Sequence, residues 1–233
     1  MTVPAVHAHR GSPDPASGVR ENTLEAFFRA RLLGADGVEL DVRRTADGAL
    51  AVHHDPEIRG LGPVHEIVSD QLPASVALLP AALDACEGLG VNVELKNLPG
   101  EAGFDPDERM AREVAEMVAA ADGVSTVVIS SFWPASLTAV HEVRPELATG
   151  LLLAPWFDAA EAVPLALENG CTALHPHASL VDEALMDEAR GAGLSVATWT
   201  VNDRRQMDTV ASLGVATVIT DDVTMALSAL GRD

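Results

Sequence analysis

Short hydrophobic, β-branched segments alternate with longer amphipathic segments along this chain. The short segments predict eight β-strands, over residues 3–8, 37–43, 91–96, 126–130, 148–152, 172–175, 194–199 and 216–220. Apolar residues at helical spacing predict a helix after each strand, near residues 23–34, 80–89, 107–121, 134–143, 159–168, 181–191, 203–212 and 222–230. Residue types typical of helix starts agree, because Asn22-Thr23 precedes the first helix and Asp105-Pro106 is expected to open the third.

The alternation of strands and helices predicts an α/β fold with a parallel sheet. A doubly wound sheet usually carries a GxGxxG loop after its first strand, and the sequence has no such loop. Eight units in 233 residues favour a (β/α)8 TIM barrel instead, with one domain over residues 1–233. The chain is short for this fold, so we expect short loops everywhere except over residues 11–21 and 42–80.

Composition narrows the classes of partner. The net charge of −20 argues against nucleic acid and against docking on an anionic membrane, since both need exposed cations. No apolar stretch approaches the ~20 residues of a membrane span, and no secretory signal opens the chain, so a cytoplasmic location is expected. Cys86 and Cys171 match no metal or redox spacing and are expected to be buried thiols. The sequence does not indicate an oligomeric state.

Carboxylates interrupt two of the predicted strands. Glu39 and Asp41 lie in GVELDV, and Glu94 lies in VNVELK. The period of two places Glu39 and Asp41 on one face, and the carboxyl ends of barrel strands form one mouth, so all three acids are expected to converge. Such an oxygen-rich site suits Mg²⁺, Ca²⁺ or Mn²⁺. The alternative is that each acid forms a structural ion pair with a nearby cation: Arg10, Arg43, Arg44 or Lys96.

Histidines and cations accompany these acids. His9 and His54 are candidates for a general acid and a general base, and Asp55 could orient the ring of His54. Arg10 and Lys96 beside a metal would form an anion clamp suited to a phosphoryl group. A further histidine, His175, is a weaker candidate at the same end of the barrel. The remaining histidines are expected to be structural or solvent-facing, namely His7, His53, His65, His141 and His177.

Several motifs together resemble the glycerophosphodiester phosphodiesterase family. In chain order they are AHRG, RENTLEAF, VELDV, HHDP, VELKN, SSF, WTVN and ITDD, and they run from residue 8 to 222. The resemblance implies a barrel with a divalent metal on Glu39, Asp41 and Glu94. It also implies that His9 and His54 form the catalytic acid–base pair and that Arg10 and Lys96 hold the phosphate. The resemblance implies roles for three more residues: Glu21 and Asn22 belong to a loop that supports the first motif, and Trp199 is an aromatic residue in the substrate mouth.

The expected function is therefore metal-dependent hydrolysis of a small glycerophosphodiester to sn-glycerol 3-phosphate and an alcohol. One alternative is a related phosphodiesterase of the lysophospholipase D or sphingomyelinase D type. An aldolase or isomerase barrel and a non-catalytic metal-binding barrel are two others. The chain also departs from the family, since Arg20 stands where Pro often precedes Glu-Asn and residues 56–79 are compact. These departures leave the alcohol open.

Overall fold

Parallel strands close into a barrel in the computed structural model of the protein, which describes residues 3–121 and 123–232. The strands are β1 Ala5–Ala8, β2 Gly37–Arg44, β3 Leu50–Val52, β4 Glu57–Ile58, β5 Gly62–Pro63, β6 Gly90–Leu95, β7 Thr126–Ser131, β8 Ala148–Leu153, β9 Ala173–Pro176, β10 Ser195–Thr198 and β11 Thr217–Thr220. All except β3, β4 and β5 belong to the barrel, where β1 pairs with both β11 and β2 and so closes the ring. The predicted barrel is confirmed.

A helix follows each barrel strand and packs outside it. The helices are α1 Leu24–Leu32, α2 Leu79–Ala85, α3 Arg109–Ala119, α4 Pro134–Val143, α5 Ala162–Glu168, α6 Glu183–Gly191, α7 Arg204–Leu213 and α8 Val223–Ala229. The side chain of Thr23 caps α1 by accepting the N–H of Ala26, as the sequence indicates. Within the described residues, none of these helices has the length and hydropathy of a membrane span.

The third helix begins later than expected. We predicted that Asp105-Pro106 opens it, but α3 starts at Arg109 and its N-cap residue, Glu108, has a left-handed backbone with φ of 53°. The side chain of Asn97 donates to the carbonyl of Asp105 and accepts the N–H of the same residue. These bonds hold residues 105–108 in a turn against the end of β6, and the helix begins only after that turn.

The apolar core lies between the barrel and the helices. In β2, Val38, Leu40 and Val42 are buried in this core, which also contains helix residues such as Phe27. Because side chains alternate along a strand, the residues between them face the inside of the barrel. That interior is mixed. Its buried polar residues include Glu39, Asp41, Asn92, Ser130 and His175, and apolar residues such as Leu152 and Ile219 also lie there. The packing that stabilises the fold is therefore separate from the polar groups inside the barrel.

The long connection between β2 and α2 folds against one side of the barrel mouth. Strand β3 pairs with the end of β2 in antiparallel register, Val42 opposite Val52, and β4 and β5 form a short hairpin. A small cluster of Ala51, Ile58, Val64 and Ile67 fixes this connection. The turn after β3 brings the N–H of His53 to the carbonyl of Asp41 at 3.0 Å. As a result, the HHD segment lies next to the carboxylates of β2.

Candidate active site

The three predicted acids meet at the mouth of the barrel. Strands β2 and β6 are parallel neighbours with Asp41 opposite Glu94, and Glu39 lies two residues earlier on the same face. One carboxylate oxygen from each of the three lies within 4.8 Å of those from the other two. Glu39 and Asp41 are 3% and 1% exposed. Such a set of buried oxygens has the composition and size that a hard divalent cation requires.

Asp41 Oδ1 has only a 3.6 Å ion pair with Lys96 and no hydrogen bond among the described residues, and Glu39 is satisfied even less because no Arg or Lys side chain there pairs with it. The Oε2 of Glu39 accepts the backbone N–H of Arg10 at 2.9 Å, whereas its buried Oε1 has no hydrogen-bond partner among the described residues. Burial, together with the nearby charge of Asp41, raises the pKa of Glu39 to about 8. Burial also raises the pKa of Glu94, against the opposing charge of Lys96. A cation at this point would supply the missing partner and favour the ionised carboxylates.

Asp41 is held in its ionised form by the groups around it. Burial alone would raise its pKa, but Lys96, His54 and Arg10 outweigh burial and lower the pKa below its usual range. The Nζ of Lys96 lies 2.7 Å from Glu94 Oε1 and 3.6 Å from Asp41 Oδ1. Structural ion pairs, the alternative raised by the sequence, thus account for Asp41 and Glu94. They do not account for Glu39, which has neither Arg nor Lys side chain within 4 Å in the described residues.

His9 lies between an acid outside the cluster and an acid inside it. Its Nδ1 is 2.7 Å from Asp221 Oδ1, and its Nε2 is 3.9 Å from Glu39 Oε2. Burial lowers the pKa of His9, but the hydrogen bond to Asp221 and the charge of Glu39 outweigh burial, so the pKa is raised overall. Asp221 is fixed in turn by the amide of Asn202, which donates to its carboxylate and accepts its backbone N–H. The sequence motifs contain Asp221 and Asn202, but we did not predict them as site residues.

His54 has a matching arrangement on the other side of the mouth. Its Nδ1 is 2.8 Å from Asp55 Oδ1, and this hydrogen bond is the main cause that lowers the pKa of Asp55. In both histidines a carboxylate therefore occupies Nδ1, which leaves Nε2 available for another group. The predicted contact between Asp55 and His54 is present.

One buried arginine that we did not predict as a site residue connects two parts of the site. Arg43 donates from Nε to the carbonyl of His54 at 2.7 Å and from Nη1 to the carbonyl of Lys96 at 3.4 Å. Its Nη2 donates to Glu101 at 2.8 Å. Arg43 has the same period-two spacing as Glu39 and Asp41, so its position on the interior face could have been read from the sequence.

The loop after β1 fixes Arg10. Its Nη1 donates to Glu21 Oε1 at 2.9 Å, and its Nε is 3.3 Å from Asp41 Oδ2. The amide of Asn22 donates to the same Asp41 oxygen at 2.8 Å. The tight turn depends on Gly11, with φ of 78°, because a Cβ there would lie 2.8 Å from the backbone of Ala26. Glu21 thus contacts the first motif through Arg10, and the backbone N–H of Asn22 donates to the carbonyl of Arg10 at 2.9 Å, as the resemblance implies.

Two further predicted residues lie beside the cluster rather than in it. The indole N–H of Trp199 donates to the carbonyl of His175 at 2.7 Å, and its ring packs edge-on against Phe132 and His177. The imidazole of His175 is buried over Gly150, and burial lowers its pKa to about 3. Its Nδ1 has no hydrogen-bond partner among the described residues. His175 is therefore a neutral interior side chain and does not join the candidate site.

Known proteins with similar sequences include phosphodiesterases, which agrees with the acidic site at the mouth of the barrel. The model of the glycerophosphoryl diester phosphodiesterase family matches residues 9–225. The chain is 31% identical to a glycerophosphodiester phosphodiesterase of Caldanaerobacter subterraneus subsp. tengcongensis, over 93% of each chain. It is 26% identical to a glycerophosphodiester phosphodiesterase of Bacillus altitudinis, over 93% of this chain and 94% of the relative.

Solved structures show the same fold. A phosphodiesterase of Oleispira antarctica, in complex with the product sn-glycerol-3-phosphate, superposes with a TM-score of 0.85 at 24% identity and covers 98% of this chain and 97% of its own. A glycerophosphodiester phosphodiesterase of Thermotoga maritima has a TM-score of 0.80 at 23% identity, over 98% and 99% of the two chains. Fold, acidic mouth and family match agree: the chain is a phosphoric diester hydrolase and belongs to the glycerophosphoryl diester phosphodiesterase family.

Proposed function

We propose that this protein hydrolyses glycerophosphodiesters to sn-glycerol 3-phosphate and an alcohol with the help of a divalent cation and two histidines. The observation that carries the proposal is the acid cluster, in which Glu39 keeps a buried oxygen without a partner beside two ionisable neighbours. A buried, ionised carboxylate with an oxygen that lacks a partner destabilises the folded protein unless a bound cation contacts that oxygen. The product is the one held by the structurally similar Oleispira antarctica phosphodiesterase.

Glu39, Asp41 and Glu94 would hold the cation, which we expect to be Mg²⁺, Ca²⁺ or Mn²⁺ because every proposed ligand atom is a carboxylate oxygen. When bound, the cation supplies a positive charge that stabilises the phosphoryl oxygens as negative charge builds on them. Arg10 and Lys96 lie against the same carboxylates. They would bind the phosphate oxygens beside the cation and orient the diester for attack.

His9 and His54 would move the protons. One imidazole accepts the proton of the attacking hydroxyl, from water or from the neighbouring glycerol hydroxyl, as a new P–O bond forms. The other donates a proton to the alcohol oxygen as its P–O bond breaks. Attack by water gives the phosphate monoester directly, whereas attack by the glycerol hydroxyl gives a cyclic glycerophosphate, which a water molecule then opens to glycerol 3-phosphate with the proton roles of the two imidazoles reversed. Asp221 and Asp55 hold the Nδ1 atoms of the two rings, so Nε2 is the atom that exchanges protons in both cases.

Lipid substrates remain the second candidate, because part of the mouth is apolar. Trp156, in the loop after β8, is 87% exposed. The other large aromatic residues near the mouth contact each other instead: Trp133 packs against Phe104, with ring centroids 6.3 Å apart. A single exposed tryptophan offers little surface to an acyl chain. Activity on lysophosphatidylcholine that depends on Trp156 would favour this candidate.

Hydrolysis of glycerophosphoethanolamine, followed by enzymatic detection of glycerol 3-phosphate, tests the proposal. Chelation by EDTA should abolish activity, and one of the three cations should restore it. His9→Ala and His54→Ala should each lower kcat about 10²- to 10⁴-fold, the usual contribution of general acid–base catalysis. His141→Gln is the matched control, since His141 lies on α4 and bonds to Thr149. Full activity in EDTA, or in either alanine variant, would contradict the mechanism.

A further inference from the structure

A second pocket shares a wall with the candidate active site. It has a volume of about 350 Å³ and lies where the loop after β1 meets the end of β3 and the β4–β5 hairpin. Among the residues that line it are Arg20, Glu21, Asn22, His53 and Arg59. This volume falls in the range of small-molecule sites, about 300–1,000 Å³. We call it the Arg20–Arg59 pocket.

The pocket is unusual in charge. Arg20 and Arg59 have no carboxylate within 4 Å anywhere in residues 3–121 and 123–232, although the chain has 35 acidic and 15 basic side chains. Most other arginines in these residues are paired with a carboxylate. Glu21 also lines the pocket, but its carboxylate is engaged by Arg10. Arg20 and Arg59, both exposed side chains of a strongly acidic protein, thus line one cavity without an ion-pair partner in the described residues.

The shared wall determines which part of a substrate could reach the pocket. Asn22 contacts both the pocket and Asp41, and His53 directly precedes His54. A diester bound at the acid cluster therefore has its phosphate beside this wall. Its glycerol half carries no charge. An anionic group that reaches Arg20 and Arg59 must consequently belong to the alcohol half.

We propose that the Arg20–Arg59 pocket is a second anion subsite, which selects diesters whose alcohol carries its own phosphate or carboxylate group. This inference rests on the proposed function and specifies its substrate class. Guanidinium groups bind both phosphate and carboxylate oxygens through paired, charge-assisted hydrogen bonds. The same pocket disfavours alcohols that end in a cationic group, because two arginines would repel them.

Two matched substrate pairs test the inference and separate the two anions. Glycerophosphoinositol 4-phosphate differs from glycerophosphoinositol by one phosphate, and glycerophosphoserine differs from glycerophosphoethanolamine by one carboxylate. We expect kcat/KM to favour the anionic member of at least one pair by about tenfold or more, through a lower KM, since each charge-assisted hydrogen bond is worth about that factor. The pair that shows the preference identifies the anion.

Variants assign the preference to the two arginines. In the double variant Arg20→Gln/Arg59→Gln the ratio of kcat/KM within the preferred pair should fall to about one, and the corresponding double lysine variant should recover part of it. The double variant Arg112→Gln/Arg190→Gln is the charge-matched control, because Arg112 pairs with Glu142 and Arg190 pairs with Asp187 on the outer helices. It should keep the wild-type ratio.

A ratio near one in the wild type for both pairs, or an unchanged ratio in the double glutamine variant, would overturn the inference. If the wild type hydrolyses none of the four diesters, the proposed function fails instead. Calorimetric titration with glycerophosphoinositol 4-phosphate still tests the pocket in that case. Equal affinity of the wild type and the double glutamine variant would then overturn it, whereas at least about tenfold weaker binding by the variant would support it.

Discussion

Replacement of Arg43 by methionine should damage the site without any change in a group that contacts the substrate in our proposal. Arg43 is only 5% exposed, and its guanidinium donates to the carbonyls of His54 and Lys96 and to the carboxylate of Glu101. Methionine fills a similar volume but donates no hydrogen bond. The variant would therefore lose the hydrogen bonds that hold the backbone of His54, a proposed acid–base residue, next to that of Lys96, a proposed phosphate ligand.

The cost can be worked from these three contacts. The bond to Glu101 joins two charged groups and is worth about 1.5–3 kcal/mol, and the short bond to His54 adds about 1 kcal/mol or more. The bond to Lys96, at 3.4 Å, adds little. A loss of roughly 2.5–4 kcal/mol follows, which lowers Tm by about 5–16 °C for a chain of this size. Displacement of reacting groups by ~1 Å costs about 100-fold in rate, and we expect kcat to fall by that order.

Thermal unfolding and steady-state kinetics, both measured on the same preparation well below the Tm of the variant, check this reasoning. The control is Arg44→Met, because Arg44 pairs with Glu113 through two hydrogen bonds on a more exposed face. We expect it to cost at most ~1 kcal/mol and to leave kcat within about twofold. If Arg43→Met loses stability but keeps wild-type kcat, then Arg43 supports the fold alone and our positioning argument is refuted.

Three other outcomes follow from the geometry. Asp221→Asn should lower kcat by about 10²-fold or more, because the amide no longer stabilises protonated His9; an unchanged pH–rate profile would contradict this. Saturation with Ca²⁺ or Mg²⁺ at 100 times Kd should add about 2.7 kcal/mol to the free energy of unfolding, and Glu39→Gln should remove most of that gain in a thermal shift assay. Acid should destabilise the protein in part through His175. Burial lowers the pKa of His175 from 6.5 to about 3, so between these two pH values the unfolded state binds more protons than the folded state. The free energy of unfolding therefore decreases as the pH is lowered from about 6.5 to about 3. The contribution is at most roughly 5 kcal/mol, and a His175→Gln variant with the same pH dependence as the wild type would show that the argument is wrong.

The fold and most of the site could be predicted because both depend on local periodicity. Alternation of side chains places Glu39 and Asp41 on one face of β2, and the rule that barrel strands end at one mouth brings Glu94 to them. The partner of His9 depends instead on barrel closure: Asp221 follows β11, which lies beside β1 only because the ring closes. Motif matching drew attention to this acid without showing what it contacts.

The role of Arg43 was hidden for a different reason. Its partners are two backbone carbonyls and the carboxylate of Glu101, which lies in a distant loop. Every residue has a backbone carbonyl, so the sequence does not show which carbonyls accept these hydrogen bonds. The start of α3 was misplaced for a similar reason, since Asn97 binds the backbone of Asp105 and delays the helix. Side chains that bind remote backbone groups leave no spacing pattern in the sequence, so they become visible only in three dimensions.

The ammonium group between Glu94 and Asp41 gives the protein a built-in reporter. Lys96 is the only lysine in the sequence, and its surroundings raise its pKa. Isotopic labelling of lysine, or reductive methylation after partial unfolding, would therefore place a single side-chain amine signal at the mouth of the barrel. That one side-chain resonance, distinct from the signal of the N-terminal α-amine, would report the binding of cations and phosphates at the site.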